Sequence, residues 1–241
     1  ELALTYHPDS ADLLNIKLKL HLRMRDFTRA HKIAEKLLSR DRNQVDVLLG
    51  MGEILSNYGD YAGALDYFQE AAILDRRPTL RMLLASAQSN ACQYTDSIQT
   101  CLSVIQEHPA LAPFLQATLG GCYGYLGDFH QARICLSAAL DREPGNISIR
   151  FYRATFNLLL GDYKPGWEDY RYRFFEDPRN HRLLPYAYWQ GEPLNNQSIL
   201  ILAEQGLGDQ IMFASCLQDV LSQSPSNIIL EAHQRIAKTL T

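Results

Sequence analysis

One three-residue corner, Gly-Asp-aromatic, limits what this chain can fold into. It stands at Gly59-Asp60-Tyr61, returns at Gly127-Asp128-Phe129 and returns again at Gly161-Asp162-Tyr163, in the register of a unit close to 34 residues long. Arg25-Asp26-Phe27 is an upstream version and Gln93-Tyr94 a degenerate one. The stretch from Val45 to Pro78 shows the purpose of the corner. Apolar residues recur there at three- and four-residue spacing on both sides of Gly59-Asp60, the mark of two amphipathic helices. Gly59 can take the left-handed conformation that ends a helix without a Cβ penalty. Asp60 can cap the next helix by accepting from its orphan N–H groups. Gly52 and Ala64 are small where the two helices must close up, and Phe68 and Ala71 fill the seam. One such unit cannot bury its apolar face alone, so the units must stack.

Set in register, the units start at Ala11, Val45, Pro78, Pro113 and Ile147. The small residue five after each corner position is Ala30, Ala64, Ser97 and Ala132, and units close with His108-Pro109 or Glu143-Pro144. Leu119-Gly120, Tyr123, Gly127-Asp128-Phe129, Ala132, Ala139 and Pro144 together resemble the tetratricopeptide repeat. The unit from Ala11 departs most, with Lys17-Leu18 and His21 in its first helix. The resemblance covers residues 1–180. It implies a mostly α fold: an α-solenoid of helix pairs wound as a right-handed superhelix, acting as a protein–protein interaction module. Residues 1–10 read as the close of a partial repeat, with Pro8 at the late proline position, and so as part of a longer protein.

In such an array the side chains of the first helices that point away from the seam line a concave groove for a protein or peptide. Asn15, Lys19, Asn57, Asn90, Phe114, Gly121, Gly124 and Tyr125 fall at those positions. Asn57 and Asn90 share a register, and an asparagine can both donate to and accept from a peptide backbone. They read either as a short ladder for an extended chain or as ordinary solvated positions. Gly121 and Gly124 lie inside a helix, where glycine costs roughly 1 kcal/mol relative to alanine. They read either as a notch flanked by Phe114 and Tyr125 or as points of close helix packing.

Charge and cysteine usage narrow the partners. A net charge of −4 over 241 residues argues against sequence-independent nucleic-acid binding, which needs a basic face. No apolar run approaches the roughly 20 residues of a membrane helix. Of the 5 cysteines, Cys92, Cys101, Cys122 and Cys135 sit inside repeats without CxxC spacing. They read as small packing residues, with no metal site, in a reduced, cytoplasmic protein.

The unit from Ile147 keeps its corner and then diverges into Gly166, Trp167, Tyr170, Arg171, Tyr172, Arg173 and Phe174. Bulky aromatics there suit the cap that a solenoid end requires; interleaved arginines also suit phosphate, the weaker reading. Residues 181–197 lose periodicity and carry Leu184-Pro185 and Glu192-Pro193, the punctuation of a linker.

Residues 198–241 follow a different grammar. Ser198–Ala203 is a short continuous apolar run, as a buried parallel strand should be. A glycine turn through Gly206 and Gly208 follows, then a helix over 210–222, then a second strand from Ile228. This is one β-α-β unit of a Rossmann-like sheet. It lacks the dinucleotide fingerprint, since Ile211 holds the third glycine position. The apolar set Ile199, Ile201, Ile228 and Leu230 calls for cover, either from the cap around Trp167 and Tyr170 or from a second copy of the chain in a homodimer. Trp189-x-Gly191-Glu192-x-Leu194 followed by Glu204-Gln-Gly206-Leu-Gly208-Asp209 is similar to the start of the catalytic region in bacterial proteins that fuse such repeats to a heptosyltransferase-like, two-domain (GT-B) glycosyltransferase. The resemblance implies a nucleotide-sugar donor in the longer protein and no cofactor in this fragment. It implies Asp209 as the base acting on an acceptor hydroxyl, with Glu204 as runner-up and Gly206 and Gly208 as the substrate loop. The same Asp209 reads equally well as a plain helix cap.

Overall fold

A computed structural model of the chain describes residues 10–173, 184–203 and 206–238. The chain divides into two units, Glu1–Glu176 and Asp177–Thr241.

The first unit is a run of helix pairs: α1 (Ala11–Arg23) with α2 (Phe27–Leu38), α3 (Val45–Asn57) with α4 (Tyr61–Leu74), and α5 (Pro78–Asn90) with α6 (Tyr94–Glu107). After a 3-10 turn at Pro109–Leu111 come α7 (Ala112–Tyr125) with α8 (Phe129–Arg142), and α9 (Ile147–Leu159) with α10 (Tyr163–Tyr170). Each helix packs on its pair mate and on the helix that follows. No strand precedes residue 190 among the described residues.

The corners close as the repeated motif requires. Gly59, Gly127 and Gly161 have φ of 82°, 85° and 82°. At the two corners without glycine, Arg25 and Cys92 take the same left-handed conformation, with φ of 56° and 61°. The degenerate corner at Gln93-Tyr94 is therefore a full corner whose turning residue is Cys92. Asp26, Asp60 and Asp128 each cap the following helix, accepting from Arg29, Gly63 and Gln131 N–H at 3.2, 2.9 and 3.1 Å. Asp162 makes no such cap bond and pairs instead with Arg133.

Small residues set the seams. Ala30, Ala64, Ser97 and Ala132 are fully buried. A Cβ on Gly52 would lie 2.7 Å from the Phe68 ring, one on Gly120 2.7 Å from Leu136, and one on Gly166 2.7 Å from Leu158. Ser97 satisfies its buried hydroxyl by donating to the Ala85 carbonyl at 2.7 Å. The core runs along the array in three clusters, centred on Leu37, Leu48 and Ile54, on Cys101, Val104 and Leu115, and on Leu136 and Leu140.

The cap is held by charge as well as by aromatics. The Asp169 carboxylate is buried on α10 and receives Arg150 at 3.2 Å and Arg153 at 2.7 Å from α9. Trp167 meets Tyr170 edge-on at 5.4 Å between ring centres. Phe174 lies outside the described residues.

The second unit contains β1 (Ser198–Ile201) and β2 (Asn227–Leu230), paired parallel with Ser198 opposite Asn227 and Ile201 opposite Leu230. Between them lie two short helices, α11 (Leu207–Ala214) and α12 (Leu217–Ser222), and α13 (Gln234–Ala237) follows β2. The single helix expected over 210–222 is broken at Ser215 and Cys216. The Ser215 hydroxyl donates to its own Met212 carbonyl at 2.8 Å, a local bond that competes with helix continuation. Leu194 is fully buried, whereas Ile199, Ile201, Ile228 and Leu230 are only half-buried. Leu200 and Ile229, on the other face of the strands, are exposed.

Candidate functional site

First helices touch in two groups, α1 with α3, and α5 with α7 and α7 with α9, besides their contacts with the second helices. Their outward side chains form two stretches, and the eight groove positions divide on them into three kinds.

Two are already engaged. Asn15 donates to Gln44 Oε1 at 3.2 Å, and the Lys19 ammonium meets Asp46 at 2.7 Å. Both contacts tie the first repeat to the second. An exposed pair of this type contributes little to stability, but it does occupy the polar groups a ligand would need.

Two are glycines with opposite surroundings. A Cβ on Gly121 would meet nothing within 4 Å, whereas one on Gly124 would lie 2.2 Å from the Phe156 ring. The notch expected over both glycines therefore exists at Gly121 alone. Gly124 is a packing glycine that admits Phe156 to the seam, where Phe156 stacks on Phe129 at 5.7 Å.

The remaining four are open. Asn57 is exposed and donates to the Glu53 carbonyl of its own helix at 2.9 Å, and its amide oxygen has no partner among the described residues. Asn90 is exposed and makes no hydrogen bond among the described residues. Phe114 is exposed, with the Arg142 guanidinium 4.5 Å above its ring. Tyr125 is 68% exposed and stacks on Tyr94 at 4.6 Å, the rings within 5° of parallel. Tyr94 and Arg142 were not singled out from the sequence as groove residues. Tyr94 is the aromatic of the degenerate corner, so its place beside the groove could have been read from the motif. Arg142 bore no signal. A hydrogen bond with the Cys92 thiol pushes the Tyr94 hydroxyl up to about 12, so it stays neutral.

Residues 17–81 and residues 115–146 match models of the tetratricopeptide repeat. The helix pairs within those residues match tetratricopeptide repeats. Protein FlbA of Caulobacter vibrioides is 38% identical over 104 residues, which is 40% of this chain and 17% of FlbA. The chain thus matches less than a fifth of that relative's length. Among solved structures, MamA of Desulfovibrio magneticus RS-1 superposes with a TM-score of 0.59 at 22% identity, covering 71% of this chain and 96% of MamA. YrrB, described as a TPR protein with an unusual peptide-binding site, superposes with a TM-score of 0.54 at 15% identity, covering 73% and 91%. At such identities the likeness is one of fold. The matched residues end at 146, before the second unit begins.

In the second unit Asp209 sits in the first turn of α11, and its carboxylate accepts from the Gly206 N–H at 3.0 Å. The helix dipole favours the ionised form there. A Cβ on Gly208 would meet nothing within 4 Å. Glu204 lies outside the described residues. The Trp189 indole donates to the Glu192 carbonyl at 2.6 Å, closing a tight turn at Gly191, whose φ is 97°. No helix is long and apolar enough to cross a membrane among the described residues, and no group of His, Cys, Asp and Glu there is placed to hold a metal ion.

Proposed function

We propose that the repeat array is an interaction module that holds an extended protein segment across its first helices. The observation that carries this reading is the contrast within the groove. Asn15 and Lys19 are engaged by the fold and Arg142 lies over Phe114, while Asn57 keeps its amide oxygen, Asn90 its side-chain amide and Tyr125 an exposed ring, with open space at Gly121. Asn90 and the amide oxygen of Asn57 suit a peptide backbone, and the exposed rings suit a side chain. Peptide binding by YrrB, a protein of the same fold, agrees with this use. Replacing Asn57, Asn90 and Tyr125 together by alanine should weaken capture of the partner. Thermal unfolding should move little, since exposed sites matter within about 0.5 kcal/mol. Unchanged binding in the triple variant removes the reading.

A second reading concerns the longer protein. Parallel pairing of β1 and β2 across two helices brings the 206–209 turn to the carboxyl end of β1, where open α/β sheets bind ligands. There Asp209 would take a proton from an acceptor hydroxyl as it attacks a nucleotide-sugar, with Gly206 and Gly208 leaving room for the substrate. Asparagine caps a helix about as well as aspartate. Asp209→Asn in the longer protein should therefore keep the fold and lower turnover by roughly a hundredfold or more. Turnover near that of the parent would leave the cap as its role.

A further inference from the structure

The chain contains no lysine or arginine between Arg42 and Arg76, and none between Arg81 and Arg133. The carboxylates of this region fall into two sets. Asp46, Glu70, Asp75 and Glu107 are paired with Lys19, Arg42, Arg77 and Arg81. Glu53, Asp60, Asp96 and Asp128 are exposed and pair with no cation among the described residues. Asp60, Asp96 and Asp128 lie at the corners or within about one helical turn of them, where the first helices end and the second begin, and Glu53 lies further back on α3. A fifth, Asp66, lies along α4, and it and Asp60 line the cleft that also holds Arg42, whose guanidinium is taken up by Glu70.

The same edge carries exposed tyrosines. Tyr58, Tyr61 and Tyr125 are 54%, 44% and 68% exposed, and Tyr94 lies stacked against Tyr125. Elsewhere the array covers its aromatic rings with its own arginines: Arg42 over Tyr67, Arg142 over Phe114 and Arg150 over Tyr172. Among the described residues no guanidinium lies over the rings of the corner edge. They are π faces beside carboxylates that pair with no cation among the described residues.

We propose that this edge, from Tyr58 to Asp128, docks a cationic segment of the partner protein. Its Lys or Arg side chains sit on the tyrosine faces and against Asp60, Asp96 and Asp128. The inference rests on the groove reading and names the partner's chemistry. A cation over an aromatic face gains from the ring quadrupole, and complementary charge steers encounter and fixes register. Uncharged Asn57 and Asn90 beside the edge then hold the backbone of the same segment.

The test uses three dye-labelled probe peptides on a Gly/Ser backbone, bearing several Lys and Arg, several Glu, or no charge. Binding is followed by fluorescence anisotropy at low and physiological salt. The cationic probe should bind, and more weakly as salt rises. Asp60→Asn, Asp96→Asn and Asp128→Asn combined should weaken it about tenfold, while asparagine preserves the caps at positions 60 and 128. Tyr58→Ala with Tyr61→Ala should weaken it several-fold. A control combining Asp41→Asn, Asp141→Asn and Glu168→Gln removes the same number of charges elsewhere and should leave binding unchanged. Equal weakening by the control, or no weakening by the tyrosine pair, overturns the proposal in favour of diffuse attraction. Tighter binding of the uncharged or the Glu probe, lost on Asn57, Asn90 and Tyr125 replacement, overturns the cationic inference and keeps the groove. Failure of all three probes to bind overturns both.

Discussion

Two adjacent helical glycines of α7 have opposite physical justifications. Gly120 is required, because any Cβ would strike Leu136, whereas a Cβ on Gly121 would stand in open space. Gly121→Ala should therefore stabilise the array by about 1 kcal/mol. Gly124→Ala should destabilise it by about 1–3 kcal/mol, since its Cβ would overlap the Phe156 ring. Urea denaturation of the two variants measures both signs. Arg25 and Cys92 hold a left-handed conformation that costs non-glycine residues about 1 kcal/mol. Cys92→Gly should thus raise stability, and a midpoint below that of the parent would contradict this account of the corner. Thiol accessibility gives a further check. Cys92 and Cys216 are exposed, whereas Cys101, Cys122 and Cys135 are buried. Burial, with Cys122 nearby, pushes the Cys101 thiol up to about 12, and burial also raises Cys135. A thiol reagent at neutral pH should label Cys92 and Cys216 quickly and the other three only on unfolding.

At the scale of an element, the short helix α10 depends on one buried carboxylate. Asp169 is 5% exposed and faces the guanidinium groups of Arg150 and Arg153 on α9. Asp169→Ala would leave two half-buried cations facing each other without their anion. Breaking a fully buried pair costs about 3–5 kcal/mol. Both arginines retain some solvent here, so a loss of about 2 kcal/mol is expected, concentrated in the last helix pair. Amide exchange should show α9 and α10 losing protection while α1 to α6 keep theirs. Uniform loss along the array would mean that the cap is not a local element. The corner caps at Asp60 and Asp128 are the opposite case: both are exposed aspartates that asparagine can replace, which is why the charge-neutralising variants there leave the helices intact.

At the scale of the whole molecule the two units differ in how completely they bury themselves. The first contains three core clusters of fully buried side chains, while the helices of the second contain no fully buried residue. Two strands and short helices bury too little to be stable alone in water. Ending the chain at residue 176 should leave the unfolding of the array nearly unchanged, whereas residues 177–241 expressed alone should show little ordered structure. Ile211, Met212, Leu221 and Ile229 are exposed in the second unit, an apolar surface that calls for a partner. A second copy of the chain is one such partner, and self-association that appears with concentration and is lost on removing residues 177–241 would identify it.

The 34-residue register was legible from residues alone, because corner, cap and seam glycine act locally and repeat. Gly59, Asp60, Gly52 and Ala64 each do what their backbone freedom, hydrogen-bonding capacity or size dictates. The β-α-β order was legible too, since a continuous apolar run bounded by glycines has few alternatives. Tertiary packing decided the rest. Nothing local distinguishes Gly121 from Gly124; only the arrival of Phe156 from the next repeat fills one and leaves the other open. Nothing local says that Lys19 is matched by Asp46 while Asp60, Asp96 and Asp128 are not, because ion pairing is set by which helices the stack brings side by side. Cys92 carries no glycine's freedom, and it takes the strained conformation at the turn between the packed helices α5 and α6.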